Sequence, residues 1–216
     1  MDDLYVNRLM VSGSDEDIDR FVEFFTDENG NFVFSPNKVE PMPDNLANNN
    51  FYACSKFIEK YRTNKTEYLS QKIMECMSTI DSAEDAVRVY DELLFKHGTI
   101  SRTDWFDENW GCSSYDEQLD FKIVNGKVFL TYTTFGGTSY KVIKKLSKMF
   151  SYCVFKTICL KTDRAYYSRE THYLNGVCEV SRRLNKSETY CFWRHLYDRY
   201  ESLRYLEVDA SYEFWN

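Results

Sequence analysis

Five carboxylates crowd one stretch of this 216-residue chain: Asp104, Asp107, Glu108, Asp116 and Glu117, interleaved with Trp105 and Trp110. Converging acids that hold Mg²⁺ through oxygen are what a two-metal nuclease requires. Tryptophan beside acids is also the composition of a docking site, where rings anchor and carboxylates select a basic partner. The third reading is structural: residues 102–118 form a polar, aromatic loop that its tryptophans pin to the core. A second acidic group, Asp15, Glu16, Asp17, Asp19 and Glu23, falls on a segment with an apolar stripe at Ile18, Phe21, Val22 and Phe25. That spacing places the acids on the outer face of a helix, where early carboxylates also suit the helix dipole.

Other chemistry has less to build on. The seven cysteines are odd in number and irregularly spaced, and no C-x-x-C pair occurs. They read as reduced thiols rather than a disulfide framework. Cys191 and His195 lie four apart on one helical face, but a structural zinc needs four ligands and no second pair has suitable spacing. Cys178 or Cys191 with His172 could form a nucleophile and base across a hairpin; buried thiols and an incidental histidine explain the same letters. Gly136-Gly137 lacks the Gly-Lys-Ser/Thr that would make a phosphate cradle, and no hydrolase, zinc-protease or dinucleotide fingerprint occurs. The expectation is no catalytic residue, no metal and no cofactor.

Charge is uneven. Residues 1–120 carry 25 acids and 11 bases, and residues 121–216 carry 9 acids and 16 bases. Such a split marks an interaction surface, or two halves that neutralise each other when folded. The overall charge of −7 disfavours binding to a phosphate backbone, although the basic second half leaves direct nucleic-acid contact open. No apolar run approaches the ~18 residues of a membrane span. The opening Met1-Asp2-Asp3 has no apolar signal core, so a cytoplasmic protein is expected.

Several elements must position these groups. Residues 4–12 read as a strand, and Ser14 caps a helix. A turn at Asn29-Gly30-Asn31 leads to a short strand at 32–34. Helical periodicity dominates 45–99, with helices near 50–61, 66–79 and 82–97, the last stopped by Gly98. Asn125-Gly126 joins strands 119–124 and 127–135, and Asn175-Gly176 joins 165–174 and 177–180; this dipeptide is a strong hairpin signal. Between the hairpins, Thr138 or Ser139 caps a helix with Val142, Leu146, Met149 and Phe150 inward and Lys141, Lys144, Lys145 and Lys148 outward, followed by a strand at 151–162. Ser187 caps a last helix with Phe192, Leu196 and Tyr200 on its apolar side. Tyr132, Phe129 and Phe155 could stack bases, but core packing is the commoner fate of strand aromatics. The order is that of an α+β protein, an antiparallel sheet with helices on one face.

Three anchors carry a resemblance. They are Asn7-Arg8-Leu9-Met10-Val11-Ser12-Gly13 leading to Val39-Glu40-Pro41-Met42-Pro43, then Trp105 with Asn109-Trp110-Gly111 and Tyr115-Asp116, then 129–135 before a helix. In this order they are similar to the YubB ferredoxin-like family, small proteins of phages and plasmids with no settled activity. The chain departs from the family pattern at Cys112-Ser113-Ser114 and at Gly136-Gly137-Thr138. The resemblance implies a ferredoxin-like fold, which places the core over 1–44 and 100–180, around the helical insertion that periodicity marks over 45–99, with a C-terminal helix and tail over 181–216. It implies a mobile-element origin and supplies no catalytic residues. With the acidic first half, it points to an accessory protein of a bacterial host's cytoplasm that acts by contact. The expected partner is a host protein with a basic nucleic-acid groove, such as a CRISPR effector, which the acids of 15–23 and 104–117 would occupy in place of phosphates. The alternative is a metal-dependent enzyme or binder acting on nucleotides or nucleic acid.

Overall fold

A computed structural model of the chain describes residues 3–162 and 168–199. Two units divide it: a sheet unit of residues 1–40 and 110–216, and a helical unit of residues 41–109. The helical unit is wider at both ends than the 45–99 expected from periodicity.

The sheet unit begins with β1 (Leu4–Ser12), α1 (Asp15–Phe25) and the short α2 (Pro36–Val39). After the helical unit come β2 (Ser114–Val124), β3 (Lys127–Phe135), α8 (Tyr140–Met149), β4 (Val154–Lys161), β5 (Ser168–Leu174), β6 (Val177–Arg183) and α9 (Lys186–Arg199). The helical unit holds α3 (Asp44–Asn48), α4 (Phe51–Thr63), α5 (Glu67–Met74), α6 (Ala83–His97) and α7 (Arg102–Asn109). The fold is α+β: the strands form one antiparallel sheet in the order β2-β3-β1-β4-β5-β6. Both Asn-Gly hairpins form, with Asn125 and Asn175 at φ 51° and 46° and each following glycine also at positive φ. Asparagine tolerates that region better than other residues with a Cβ, which is why the dipeptide fixes the register.

One face of the sheet packs under α1 and α8. Leu9, Val11, Leu130, Tyr132 and Phe155 are buried there with Phe21 and Phe25 of α1. Phe21 makes edge-on contacts with Phe25, Phe150 and Phe155 at centroid distances of 5.3, 5.4 and 5.8 Å. Ser14 caps α1 as expected: the Asp17 N–H donates to its Oγ (3.2 Å), and its hydroxyl donates to the Asp17 carboxylate (2.6 Å). The other face is covered by α9, whose Phe192 and Leu196 pack on Val6 and Leu160. Helices therefore lie on both faces, where the sequence suggested one.

Local departures have local causes. Residues 32–34 form no strand; only a single bridge joins Thr26 to Phe32. The Gln118 side chain takes the place of a strand partner, accepting from the Phe34 N–H (2.9 Å) and donating to the Phe32 carbonyl (3.3 Å). Asn185, not Ser187, caps α9: its Oδ1 accepts from the Glu188 N–H, and the Glu188 carboxylate accepts from the Asn185 N–H, both at 2.9 Å. Ser139 precedes α8 without a capping bond, because its hydroxyl pairs with Tyr132 in the core (2.6 Å). Met149 is half exposed, and Ile143 takes the inward place assigned to it. Tyr200 lies outside the described residues, as does the start of the strand placed at 165–174.

Gly137 is required by close approach. A Cβ there would stand 2.3 Å from the Gly111 carbonyl oxygen, a backbone atom that cannot rotate away. Gly137→Ala is expected to destabilise the protein by about 2–4 kcal/mol in urea titration. Gly30→Ala, at φ 81° but in open space, should cost only about 1 kcal/mol.

In the helical unit, Ser82 caps α6 and Gly98 ends it at φ 70°. Leu46, Phe51, Ile58, Ile73 and Ala86 are fully buried. Buried Asn49 organises the 75–80 connection: its Oδ1 accepts from the N–H groups of Ser78 and Thr79, and its Nδ2 donates to Thr79 Oγ1.

Candidate functional site

The acid–tryptophan stretch is not a loop. Residues 102–109 form α7, and 114 onward already belong to β2. Asp104, Trp105, Asp107 and Glu108 are in the helical unit, while Trp110, Asp116 and Glu117 are in the sheet unit. The helix escapes periodicity because Trp105 is its sole buried side chain. Its start was readable from Ser101, whose Oγ accepts from the Asp104 N–H (3.2 Å) in a Ser-x-x-Asp pattern. Asp104 also accepts from the Thr99 hydroxyl (3.4 Å).

Neither tryptophan is available as an exposed anchor. Trp105 is 2% exposed and Trp110 6%. The Trp110 indole N–H donates to the Glu40 carbonyl (3.0 Å). On β2, Asp116 and Glu117 are exposed beside two register shifts. Thr133 serves both residues, donating its hydroxyl proton to the Asp116 carboxylate (3.0 Å) and accepting from the Glu117 N–H (3.3 Å). Just before them, the Tyr115 hydroxyl is buried with no hydrogen-bond partner. Burial, then the neighbouring Glu117 and Asp116 charges, push its ionisation well above the ordinary phenol range. Among the described residues, no three His, Cys, Asp or Glu side chains gather as a metal site would need.

The acids of α1 are arranged differently. Asp15, Glu16, Asp19 and Glu23 are exposed, and Asp17 is half-buried against Ser14. No ion pair among the described residues engages the four exposed carboxylates. Elsewhere, acids of the first half meet bases of the second: Glu40 pairs with Lys145 and Asp3 with Lys161, both at 2.7 Å, and Asp120 pairs with Arg199 at 3.0 Å. The charge split along the sequence is therefore diluted on folding. The helical unit carries 12 acids and 8 bases, and the rest of the chain 22 and 19.

The proposed thiol–histidine pairs are not formed. Cys178 and Cys191 are exposed rather than buried, and the Cys178 thiol donates to the Val180 carbonyl (3.3 Å). His172 instead meets Glu170 at 2.7 Å. This places it in a cluster that sequence reasoning missed. The Glu170 side chain is 5% exposed and is reached by Lys156 of β4 (2.6 Å), by His172 of its own strand, and by Arg182 of β6. Burial is the largest influence on its carboxyl and opposes ionisation. The hydrogen bonds from Lys156 and His172 and the charges of Lys156 and Arg182 outweigh it, and hold the group at about 2. A carboxylate so firmly ionised cannot donate a proton near neutrality. It acts as an anchor: Arg182 also pairs with Glu188 of α9 (3.0 Å), and Ser168 hydrogen-bonds Thr189. In sequence, nothing within a few positions groups the charges at 170, 172 and 182. Only the pairing register and α9 enclose them.

No family model and no curated protein matches the chain. Among solved structures it is similar to the crystal structure of protein api92 from Yersinia pseudotuberculosis, assigned to family model DUF1281. The identity is 11%, the match covers 86% of this chain and 99% of that one, and the TM-score is 0.47.

Proposed function

We propose that the protein is a non-catalytic accessory protein that docks a basic surface of a host nucleic-acid-processing or defence enzyme, of which a CRISPR effector is one class, through the outer face of α1. The observation that carries this reading is the set of exposed, unpaired carboxylates at Asp15, Glu16, Asp19 and Glu23 on one 11-residue helix. The opposite side of that helix is held by Ile18, Phe21 and Phe25. Its acids are thus presented on a rigid base about 16 Å long. Like charges four apart, as at Asp15 and Asp19, repel when free, and a basic partner relieves that repulsion. Asp116 and Glu117 of β2, in the same unit as α1, belong to this proposal as secondary contacts, without the tryptophans.

For the sheet unit we propose the ferredoxin-like type. Apart from the four-residue α2, its first elements run strand, helix, strand, strand, helix, strand, and the order β2-β3-β1-β4 supports that reading. The similarity of the 7–13, 109–116 and 129–135 segments to the YubB ferredoxin-like family supports a mobile-element origin, and with it action in a bacterial cytoplasm. No described helix is long and apolar enough to cross a membrane.

The test is capture from bacterial lysate at low and high salt, with the quadruple variant Asp15→Asn, Glu16→Gln, Asp19→Asn, Glu23→Gln as comparison. The expected result is salt-sensitive retention of a nucleic-acid-processing enzyme, reduced about tenfold by the variant, with stability changed by less than about 1 kcal/mol. Equal retention by both proteins contradicts the proposal. So does turnover of nucleotides, DNA or RNA by the purified protein with Mg²⁺ or Mn²⁺.

A further inference from the structure

The pairing register sorts the side chains on the α9-covered face of the sheet into cross-strand rows. The row through Val6 includes Leu160 and Ser168, and the row through Arg8 includes Asp120, Ile158, Glu170 and Arg182. These two rows lie under α9, which contacts them through Phe192, Leu196, Thr189, Glu188 and Arg199. The helix crosses from β6, where Glu188 meets Arg182, to β2, where Arg199 meets Asp120. Its 14 residues span about 21 Å, close to the five strand spacings of about 24 Å that separate those edges.

Among the described residues, no helix covers the next two rows. They run through Met10 and Ser12 and reach from β2 to β6. Val124, Val154, Leu174, Val177 and Val180 are 36–56% exposed in them, on four different strands. Lys122, Lys127 and Lys156 are interspersed, and the paired positions of these rows hold no carboxylate. This is an aliphatic, cationic shelf beside a helix already seated on the same face.

The geometry points to a second helix lying in that step beside α9: we infer that the shelf binds an amphipathic, acidic helix of a protein partner. Its apolar stripe would cover the valines and Leu174, and its flanking carboxylates would meet Lys122 and Lys127, since Lys156 already holds Glu170. The site repeats what α9 does one step away, with apolar side chains on the sheet and ion pairs at the edges. A bilayer does not fit, because α9 stands about 10 Å above the sheet and holds a planar surface off. Single-stranded nucleic acid stacks on several rings. Phe129 is the one phenyl ring in the two rows, and the Lys122 ammonium already lies over it, 5.9 Å from the centroid. A second copy meeting face to face would set lysines against lysines.

Fluorescence anisotropy with labelled synthetic probes tests the inference. The probes are a Leu/Glu amphipathic peptide of about 18 residues, long enough to cross the sheet, its Leu/Lys counterpart, an oligothymidylate, and phosphatidylserine vesicles. The Leu/Glu peptide is expected to bind at least about tenfold more tightly than each of the others. Leu174→Glu/Val177→Glu and Lys122→Glu/Lys127→Glu should each weaken that binding by about tenfold or more, with unchanged melting temperature. Stronger binding by the Lys peptide, oligonucleotide or vesicles overturns the inference. So does binding by the Glu peptide that is absent, or indifferent to both sheet variants in their folded state.

Discussion

Truncating Phe21 to alanine is expected to cost the protein about 3–5 kcal/mol, read as a lowered urea midpoint with little change in slope. The ring is fully buried and lies against four others: Phe25 of its own helix, Phe32 of the following turn, Phe150 at the end of α8 and Phe155 of β4. Its removal leaves a cavity among edge-on rings that cannot close without moving α1, α8 and the sheet together. Phe95→Ala is the matched control. That ring is 91% exposed on α6, and its loss should change stability by less than about 0.5 kcal/mol. A loss at Phe21 no larger than at Phe95 contradicts the packing described for α1. Because the acids proposed to dock a partner sit on the back of this same helix, Phe21→Ala should, on that proposal, also weaken partner capture, without touching a charge.

Glu170→Gln is expected to lower stability by about 2–3 kcal/mol at neutral pH and to flatten its dependence on acid. The sign follows from the depressed carboxyl. In the unfolded chain the group ionises near its ordinary value of 4.5, while in the folded protein it ionises at about 2. Its stabilisation is therefore full above pH 4.5 and fades as pH falls toward 2, where both states bind the proton. Wild type should lose stability through that window, and the amide variant should lose correspondingly less. The neutral-pH loss is bounded because Lys156, His172 and Arg182 keep side-chain exposures of 33, 29 and 47% and can rehydrate. Urea titrations of both proteins at pH 7, 4.5 and 3 read the difference. Parallel acid dependence in the two would show that the Glu170 cluster does not hold α9.

How much of this was legible in the sequence depended on whether a signal was local. The strand at 4–12, the Ser14 cap and the two Asn-Gly turns were legible because each is fixed by residues within a few positions of one another. Ser82 and Gly98 bounded α6 for the same reason. α7 was hidden because one buried tryptophan makes no stripe. The start of β2 was hidden because its register slips twice, after Tyr115 and after Gln118, and breaks the alternation that marks a strand. Asn185 was passed over for Ser187, although its Asn-x-x-Glu spacing to Glu188 is the stronger cap. The Glu170 cluster and the open shelf could not be read at all. Both depend on which strands become neighbours, and β1 pairs with β3 across more than a hundred residues.

Glu40 and Trp110, the two sheet-unit residues that flank the helical unit in sequence, are joined by a hydrogen bond. Trp110 resumes the sheet unit by donating its indole N–H to the carbonyl of Glu40, the last residue before the chain departs. The 69 residues between them leave and return through a single doorway. Whatever is threaded there, a bundle or a short turn, the strand order of the host is undisturbed. Residues 40 and 110 therefore mark the point at which this architecture can gain or lose a whole module without a change of topology.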